Sequence, residues 1–463
     1  MHSAFRLLAV ILWGIALGAC GSSSPAPSGA SDRGDGGPDA SAGDAAMDGS
    51  DLSDGSDSSS SADSATDGAV VYAIPLAAPE GVDFEYTVQA TVGNQSFAML
   101  VDTASTTAAV AGTGCVGCPG VSPLWVASPN AVATGETASS EQDDGSEWSG
   151  PIYTDAVSLG RGSPSVSLEF VDITKATSFF SGDNDYQGTL GLGPSQDAIA
   201  NTVGYMPTLA SAGARDIFAL ELCDNTGDNA GTLWLGGAGS HGSAAVYTPL
   251  LAISQSNPFY TIHVDGMSLG SANIVTSASS PPVQPLVDTG TSAIYLPTSL
   301  YSSFVTALEE SSGFKTLFDA NVFATSGTDE GCVTGAGVTD AQVESALPSL
   351  TVTLPNAVSG EADVTIQASA LDTYLYDGSS SGEFCLAVAD GGTQATFGDA
   401  FLQAFVTVID IESGRVGFAP TGCPAPQIRH SRRHTREKRG RLLQHRNPST
   451  NDVGRGLAGG GSV

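Results

Sequence analysis

Between about residues 71 and 423 the chain is written in short apolar runs, broken every ten residues or so by Gly, Pro, Asn and Asp. Tyr86-Thr87-Val88-Gln89-Ala90-Thr91-Val92 alternates apolar and polar positions, the period that sends successive side chains to opposite faces of a sheet. Phe218-Ala219-Leu220-Glu221-Leu222 and Phe259-Tyr260-Thr261-Ile262-His263-Val264 read as further strands. Helical periodicity is scarce. Its clearest instance runs from Pro297 to Glu310, where Leu300, Phe304 and Leu308 recur at helical spacing and Thr298 is placed to cap. The pattern predicts a mainly β fold.

The runs also come in two sets. Leu100-Val101-Asp102-Thr103-Ala104-Ser105-Thr106 returns as Leu286-Val287-Asp288-Thr289-Gly290-Thr291-Ser292, 186 residues later. Each copy is followed by a Gly-punctuated apolar phrase, Gly188 to Gly193 in the first half and Ala395 to Leu402 in the second. The economical architecture is two similar β lobes, residues 70–245 and 246–423, with a cleft between them.

The flanking segments have other compositions. Residues 1–20 have Arg6, then an apolar run from Leu7 to Ala19 that is short for a membrane span, and close on Leu17-Gly18-Ala19-Cys20. This reads as a signal peptide resembling the lipobox of bacterial lipoproteins, with Cys20 as the lipidated residue. The expected location is a bacterial cell envelope, lipid-anchored at the outer membrane and facing the periplasm or the surface. The plainer alternative is an ordinary secretory signal. Residues 21–69 are nearly all Ser, Asp, Gly, Ala and Pro, with ten Asp and the single basic Arg33. They cannot bury enough apolar area to offset their ordering entropy, which predicts a disordered tether. Residues 424–463 carry nine Lys plus Arg against two acids and read as a basic disordered tail.

Charge narrows the partners. The chain carries a formal net charge of -33, and residues 71–423 hold 37 Asp plus Glu against five Lys plus Arg. Phosphate would be repelled, which argues against a nucleic-acid partner for the core. Self-repulsion would fade as carboxylates protonate, a composition that suits acid. Six cysteines follow Cys20: Cys115, Cys118, Cys223, Cys332, Cys385 and Cys423. An even number in an exported chain suggests three disulfides, with fifteen pairings open. The Cys115-Val-Gly-Cys118 spacing has no second such pair, and the histidines show no ligand spacing, so neither a metal nor another cofactor is expected.

The doubled Asp carries the candidate chemistry. Each stands where an apolar run stops and small hydroxyl residues begin. Two carboxyls presented by equivalent turns could meet and share a proton, the requirement for acid–base hydrolysis. A single such Asp would more simply be a turn residue capping its own backbone; the repeat favours the pair.

With these residues assembled, the chain resembles the pepsin-like aspartic proteases over about residues 84–423. The resemblance rests on Phe97 to Ser105, Ser149-Gly150, Tyr153 to Gly160, Gly188 to Gly193, Gly231 to Gly237, Phe259 to Ile262, Pro285 to Thr291, Phe397-Gly398-Asp399, Thr407 to Asp410 and Arg415 to Pro420. It implies a bilobal acid-protease fold, with Asp102 and Asp288 as the catalytic dyad. Thr103 and Thr289 would tie the two turns together. Ser105 and Thr291 would hydrogen-bond the outer carboxylate oxygens, and Gly290 completes the second turn. It further implies Cys223–Cys423 and Cys332–Cys385 bridges, with Cys115–Cys118 closing a tight loop. The implied activity is endopeptidase cleavage of an extended peptide or unfolded protein at acidic pH, by a monomer.

Three positions depart from the family pattern. Ala104 replaces the first Gly. The tyrosine of the hairpin that covers the cleft, the flap, is absent: its place falls on Gln142 or Asp143, in a turn with Gly145. The tryptophan that supports that tyrosine is replaced by small residues near Ala108-Ala109, with Trp148 as a nearby aromatic. These changes support the alternative of a catalytically weak or inactive homologue that binds peptides or a partner protein.

Overall fold

The computed structural model describes residues 70–78, 85–142, 145–160, 162–180, 186–223, 227–318, 331–378 and 382–423. Cys20, Asp143, the tether and the basic tail lie outside them. The fold is mainly β, the bilobal arrangement of the acid proteases.

The expected alternation is realised in the strand Thr87–Val92, where Val88, Ala90 and Val92 are buried and Gln89 is exposed. It pairs antiparallel with Gln95–Asp102, the strand that ends on the first doubled Asp. Both belong to a 13-stranded sheet that runs through both halves of the chain. The crossing point is the antiparallel pairing of Ile217–Leu222 with Phe405–Asp410, which in turn pairs with Arg415–Pro420. The first strand, Tyr72–Ala78, is held against Gly227–Leu235.

The repeat in sequence is a repeat in topology. Gln95–Asp102 runs parallel to Gly188–Gly191, which runs antiparallel to Ala108–Val116, which runs parallel to Val166–Thr177. In the second half, Leu286–Val287 runs parallel to Thr396–Phe397, which runs antiparallel to Ile294–Leu296, which runs parallel to Val388–Asp390. Each Asp thus leaves the end of a strand wedged beside the Gly-punctuated one. That wedge needs glycine: a Cβ on Gly191 would stand 2.5 Å from the Ser105 carbonyl oxygen, and one on Gly398 2.3 Å from that of Thr291.

Two expectations need correction. Phe259–Val264 is not a continuous strand. Thr261, Ile262 and Val264 make isolated bridges to Leu286, Leu250 and Val283, so no ladder propagates. The helix spans Thr298–Glu310 and buries Phe304, Val305 and Leu308, but Thr298 does not cap it. Pro297 holds the cap position, and the Thr298 hydroxyl donates instead to Asp390 Oδ1 at 2.7 Å. Short helices at Tyr205–Ser211, Ser312–Leu317, Asp340–Ala346 and Asp399–Leu402 lacked a readable period, being two turns or fewer.

The structure forms three disulfides: Cys115–Cys118, Cys223–Cys423 and Cys332–Cys385. Cys223–Cys423 joins the end of the first half to the end of the second. Cys332 and Cys385 face each other across the pairing of Cys332–Thr334 with Glu383–Leu386.

Candidate active site

The two Asp turns meet with near-twofold symmetry. The Thr103 hydroxyl donates to the Val287 carbonyl at 2.9 Å and accepts from Thr289 N at 3.0 Å. The Thr289 hydroxyl donates to the Val101 carbonyl at 2.9 Å and accepts from Thr103 N at 3.2 Å. All four donors and acceptors are buried, so each turn depends on the other for its hydrogen bonds.

Across this joint the Asp102 and Asp288 carboxyls are in hydrogen-bonding contact, and both residues are 0 % exposed. Asp102 Oδ1 accepts from Ala104 N at 2.8 Å and Ser105 N at 3.1 Å, and Oδ2 accepts from the Ser105 hydroxyl at 2.6 Å. Asp288 repeats the scheme: Oδ1 accepts from Gly290 N at 2.7 Å and Oδ2 from the Thr291 hydroxyl. Each carboxyl therefore binds its own turn on the outside and its counterpart on the inside. This is self-capping and pairing at once, so the capping role and the pairing role are not alternatives.

Burial pushes both carboxyls up from the ordinary range, and the charge of Asp102 pushes Asp288 higher still. The pair keeps one proton where isolated carboxyls would have lost both. The donors around Asp102 favour its ionised form, leaving the proton on Asp288. The arrangement can therefore offer a base and an acid to one small molecule lying between the carboxyls.

Sequence reasoning missed two neighbouring acids. Asp399 is 0 % exposed, and neither of its carboxyl oxygens has a hydrogen-bond partner. Its backbone N–H donates to the Thr291 carbonyl at 2.7 Å. Burial pushes this carboxyl well above its usual range, helped by the acidic neighbours Asp288, Glu85 and Asp102, so it is a neutral acid near the pair. The signal was a carboxyl set inside the apolar phrase Thr396 to Leu402. Asp197 lies in the short turn Ser195–Asp197, four residues beyond Gly193, and its carboxyl is pushed up to about 8 by burial and by the charge of Asp102.

The flap is the hairpin of Val132–Glu141 and Glu147–Leu159. Gln142 N donates to the Ser146 carbonyl and Gly145 N to that of Gln142, both at 2.8 Å, and Gly145 takes the positive φ of 76° that the turn requires. The Gln142 amide donates to the Ser140 hydroxyl at 2.9 Å. Trp148, directly after this turn, is buried in one cluster with Leu100, Ala109 and Ala111.

Glu221, Cys223 and Cys423 place potential ligand atoms within 4.8 Å of one another, but the two sulfurs are joined in a disulfide and are not thiolate ligands. Among the described residues no helix is long and apolar enough to cross a membrane.

A sequence model of the family described as Eukaryotic aspartyl protease matches residues 85–421. The chain belongs to the eukaryotic aspartyl protease family. It is similar to an aspartic protease of Phaffia rhodozyma, 29% identical over 351 residues, covering 74% of this chain and 78% of the relative. It is also similar to a beta-secretase of Strongylocentrotus purpuratus, 25% identical over 381 residues, covering 73% and 67%. Rhizopuspepsin-4 of Rhizopus niveus is 30% identical over 239 residues, covering 49% and 57%. The matched relatives are fungal, animal and plant proteins. Their names support a hydrolase. The described positions expected to depart from the family pattern, Ala104, Gln142 and Ala108-Ala109, all belong to the first half.

Proposed function

We propose that this chain is an aspartic-type endopeptidase acting on extended peptides or unfolded protein at acidic pH. The observation that carries the reading is the contact between the two buried carboxyls, each bonded to the backbone N–H and hydroxyl of its own turn. Asp102, as the ionised member, takes a proton from a water lying between the carboxyls. The resulting hydroxide attacks the peptide carbonyl while Asp288 gives its proton to the carbonyl oxygen. The tetrahedral diol collapses as Asp102 passes its proton to the leaving nitrogen and Asp288 recovers one from a hydroxyl, so the pair ends with the single proton it began with. Each step needs the one-proton state of the pair, which acid maintains.

The alternative reading is a weak or inactive homologue that holds peptides. Ala104 and a flap turn without an aromatic favour it. Digestion of a denatured protein across pH 2.5–7 separates the two. The endopeptidase reading expects cleavage at acid pH that is lost in Asp102→Asn and with pepstatin. Cleavage that survives both would overturn the assignment of the pair, and a folded wild type that cleaves at no pH would favour the binder.

We further propose that the protein acts as a monomer held at a bacterial envelope membrane by a lipid on Cys20, with residues 21–69 as its tether. The support is the Leu17-Gly18-Ala19-Cys20 sequence and the acidic, Ser-rich stretch that follows. Metabolic labelling with an alkyne fatty acid should mark the wild type in the membrane fraction and leave Cys20→Ser unlabelled.

A further inference from the structure

The strand Gly188–Gly191 leads straight into a turn bound to the first Asp loop. Gly193 N donates to the Ser105 carbonyl at 2.8 Å, and the Thr106 hydroxyl donates to the Pro194 carbonyl. Ile199 N donates to the Thr107 hydroxyl at 3.0 Å, and Thr107 and Thr202 share a hydrogen bond at 2.7 Å. Within the turn Ala200 and Asn201 take consecutive positive φ values of 51° and 59°, which side-chain-bearing residues rarely adopt. The other side of the turn meets the flap. The segment Ile199–Asn201 packs beside the flap strand Val132–Glu141, and Ile199 rests on the cluster that holds Ala138 and Trp148. The turn that carries Asp197 is thus fixed between the loop that bears Asp102 and the flap strand.

Its carboxyl is half-buried and close enough to feel the charge of Asp102. Among the described residues no ion pair includes it. The titratable groups on the elements packed around the turn are nearly all acids: Asp102 at the start of the loop bonded to it, Glu136 and Glu141 on the flap strand, and Glu169 and Asp172 on Val166–Thr177. The one cation on these elements, Lys175, stands across from Ser149 and Val116. Among the described residues, the elements around the turn therefore leave the Asp197 carboxyl, near Asp102, without a paired cation.

We infer that Asp197 is a specificity-determining residue that selects peptides carrying a Lys or Arg side chain near the scissile bond. The inference rests on the proteolytic reading of the cleft. A bound ammonium would pair with the carboxylate and release its proton, so that carboxylic acid plus ammonium becomes carboxylate–ammonium pair plus one proton to solvent. Binding of a basic peptide is then linked to pH: its advantage over an uncharged peptide grows as pH rises, by up to about tenfold per unit while free Asp197 is protonated. A carboxyl that merely supports the turn gives no such slope.

The test uses the full protein and peptides that differ only in Lys, norleucine or Glu at each position flanking the cleaved bond. At one position the ratio of kcat/KM for Lys over norleucine should reach about tenfold at pH 6 and rise between pH 4 and pH 6. In Asp197→Asn that ratio should fall to near one and lose its pH dependence. The same peptides with a reduced, uncleavable bond are titrated calorimetrically in buffers of different ionisation enthalpy. The Lys analogue should bind about tenfold tighter than the norleucine one and release a proton, and Asp197→Asn should remove both effects. A wild type without Lys preference in either measurement, or a preference kept by Asp197→Asn, overturns the inference. A wild type that binds the Lys analogue selectively but cleaves nothing overturns the proteolytic reading and leaves the role of Asp197 in selection supported.

Discussion

Thr103 and Thr289, 186 residues apart, each accept a hydrogen bond from the other's backbone N–H and donate one into the other's strand. The separation of the two carboxyls follows from these four bonds, because each Asp directly precedes its Thr.

Replacing either threonine by valine keeps the volume and removes the hydroxyl. One buried N–H and one buried carbonyl on the opposite turn then lose their partner, at about 1–3 kcal/mol for each unsatisfied group. Thr103→Val and Thr289→Val are expected to lower unfolding free energy by about 2–4 kcal/mol in urea titrations and to reduce any peptidase activity. Thr103→Ser, which retains the hydroxyl, should stay within about 1 kcal/mol of wild type.

Stability should increase on acidification. Burial raises the carboxyls of Asp102, Asp288, Asp399, Asp216 and Glu344, raises Asp172 to about 6, and together with the charge of Asp102 raises Asp197 to about 8. In the unfolded chain these groups lose their protons near the ordinary carboxyl range of about 4. Below that range both states are protonated and the native state keeps its full stability. Above it the unfolded chain has released protons that the native state still holds, so stability falls until each folded pKa is passed. Tm measured calorimetrically should therefore be several degrees higher at pH 4 than at pH 7.5. Asn cannot ionise, so in Asp399→Asn the difference between the two pH values should shrink. An unchanged difference would contradict the assignment of Asp399 as a neutral buried acid.

How far the sequence was legible depended on how local each signal was. The doubled phrase Leu100 to Thr106 and Leu286 to Ser292 is a strand end plus a turn, and its pairing follows from symmetry. Phe259–Val264 was misread because alternation reports burial, not the number of partners, and its bridges go to three different segments. Asp197 was unreadable because a single Asp carries no period, and Asp399 was marked only by standing inside an apolar phrase. Their importance arises only when the Gly-punctuated strands bring them beside the pair. Trp148 was legible as an aromatic close to the flap, but the buried cluster it shares with Ala109 gathers strands that are distant in sequence.

The Cys223–Cys423 bridge spans 200 residues and ties the last described strand to the strand ending at Leu222. In a chain-entropy picture, closing so long a loop destabilises the unfolded ensemble by about 5 kcal/mol. The double variant Cys223→Ser, Cys423→Ser should lose about 3–5 kcal/mol by denaturant titration. The bridge also pins the pairing of Phe405–Asp410 with Ile217–Leu222, so the loss should be accompanied by faster amide exchange at Val406 and Val408.

Ala104 and Gly290 occupy matching places in the two turns, and the structure makes them unequal. A Cβ on Gly290 would stand 2.7 Å from Asp102 Oδ1 and 2.8 Å from its Cγ, closer than non-bonded carbon and oxygen atoms approach. Gly290→Ala must therefore displace the Asp102 carboxyl from its counterpart, and peptidase activity is expected to fall more than 100-fold. Ala104 has no positive φ, so its methyl is not forced by the backbone, and its 1% exposure shows that the first turn already accommodates it. Ala104→Gly should cost at most about 1 kcal/mol, through the larger conformational freedom of glycine in the unfolded chain. It removes the methyl by which Ala104 differs from Gly290, so kcat/KM should be unchanged or higher. If Ala104→Gly instead abolished cleavage, the methyl would have to be a substrate contact, and the near-symmetry of the two turns would not extend to their function.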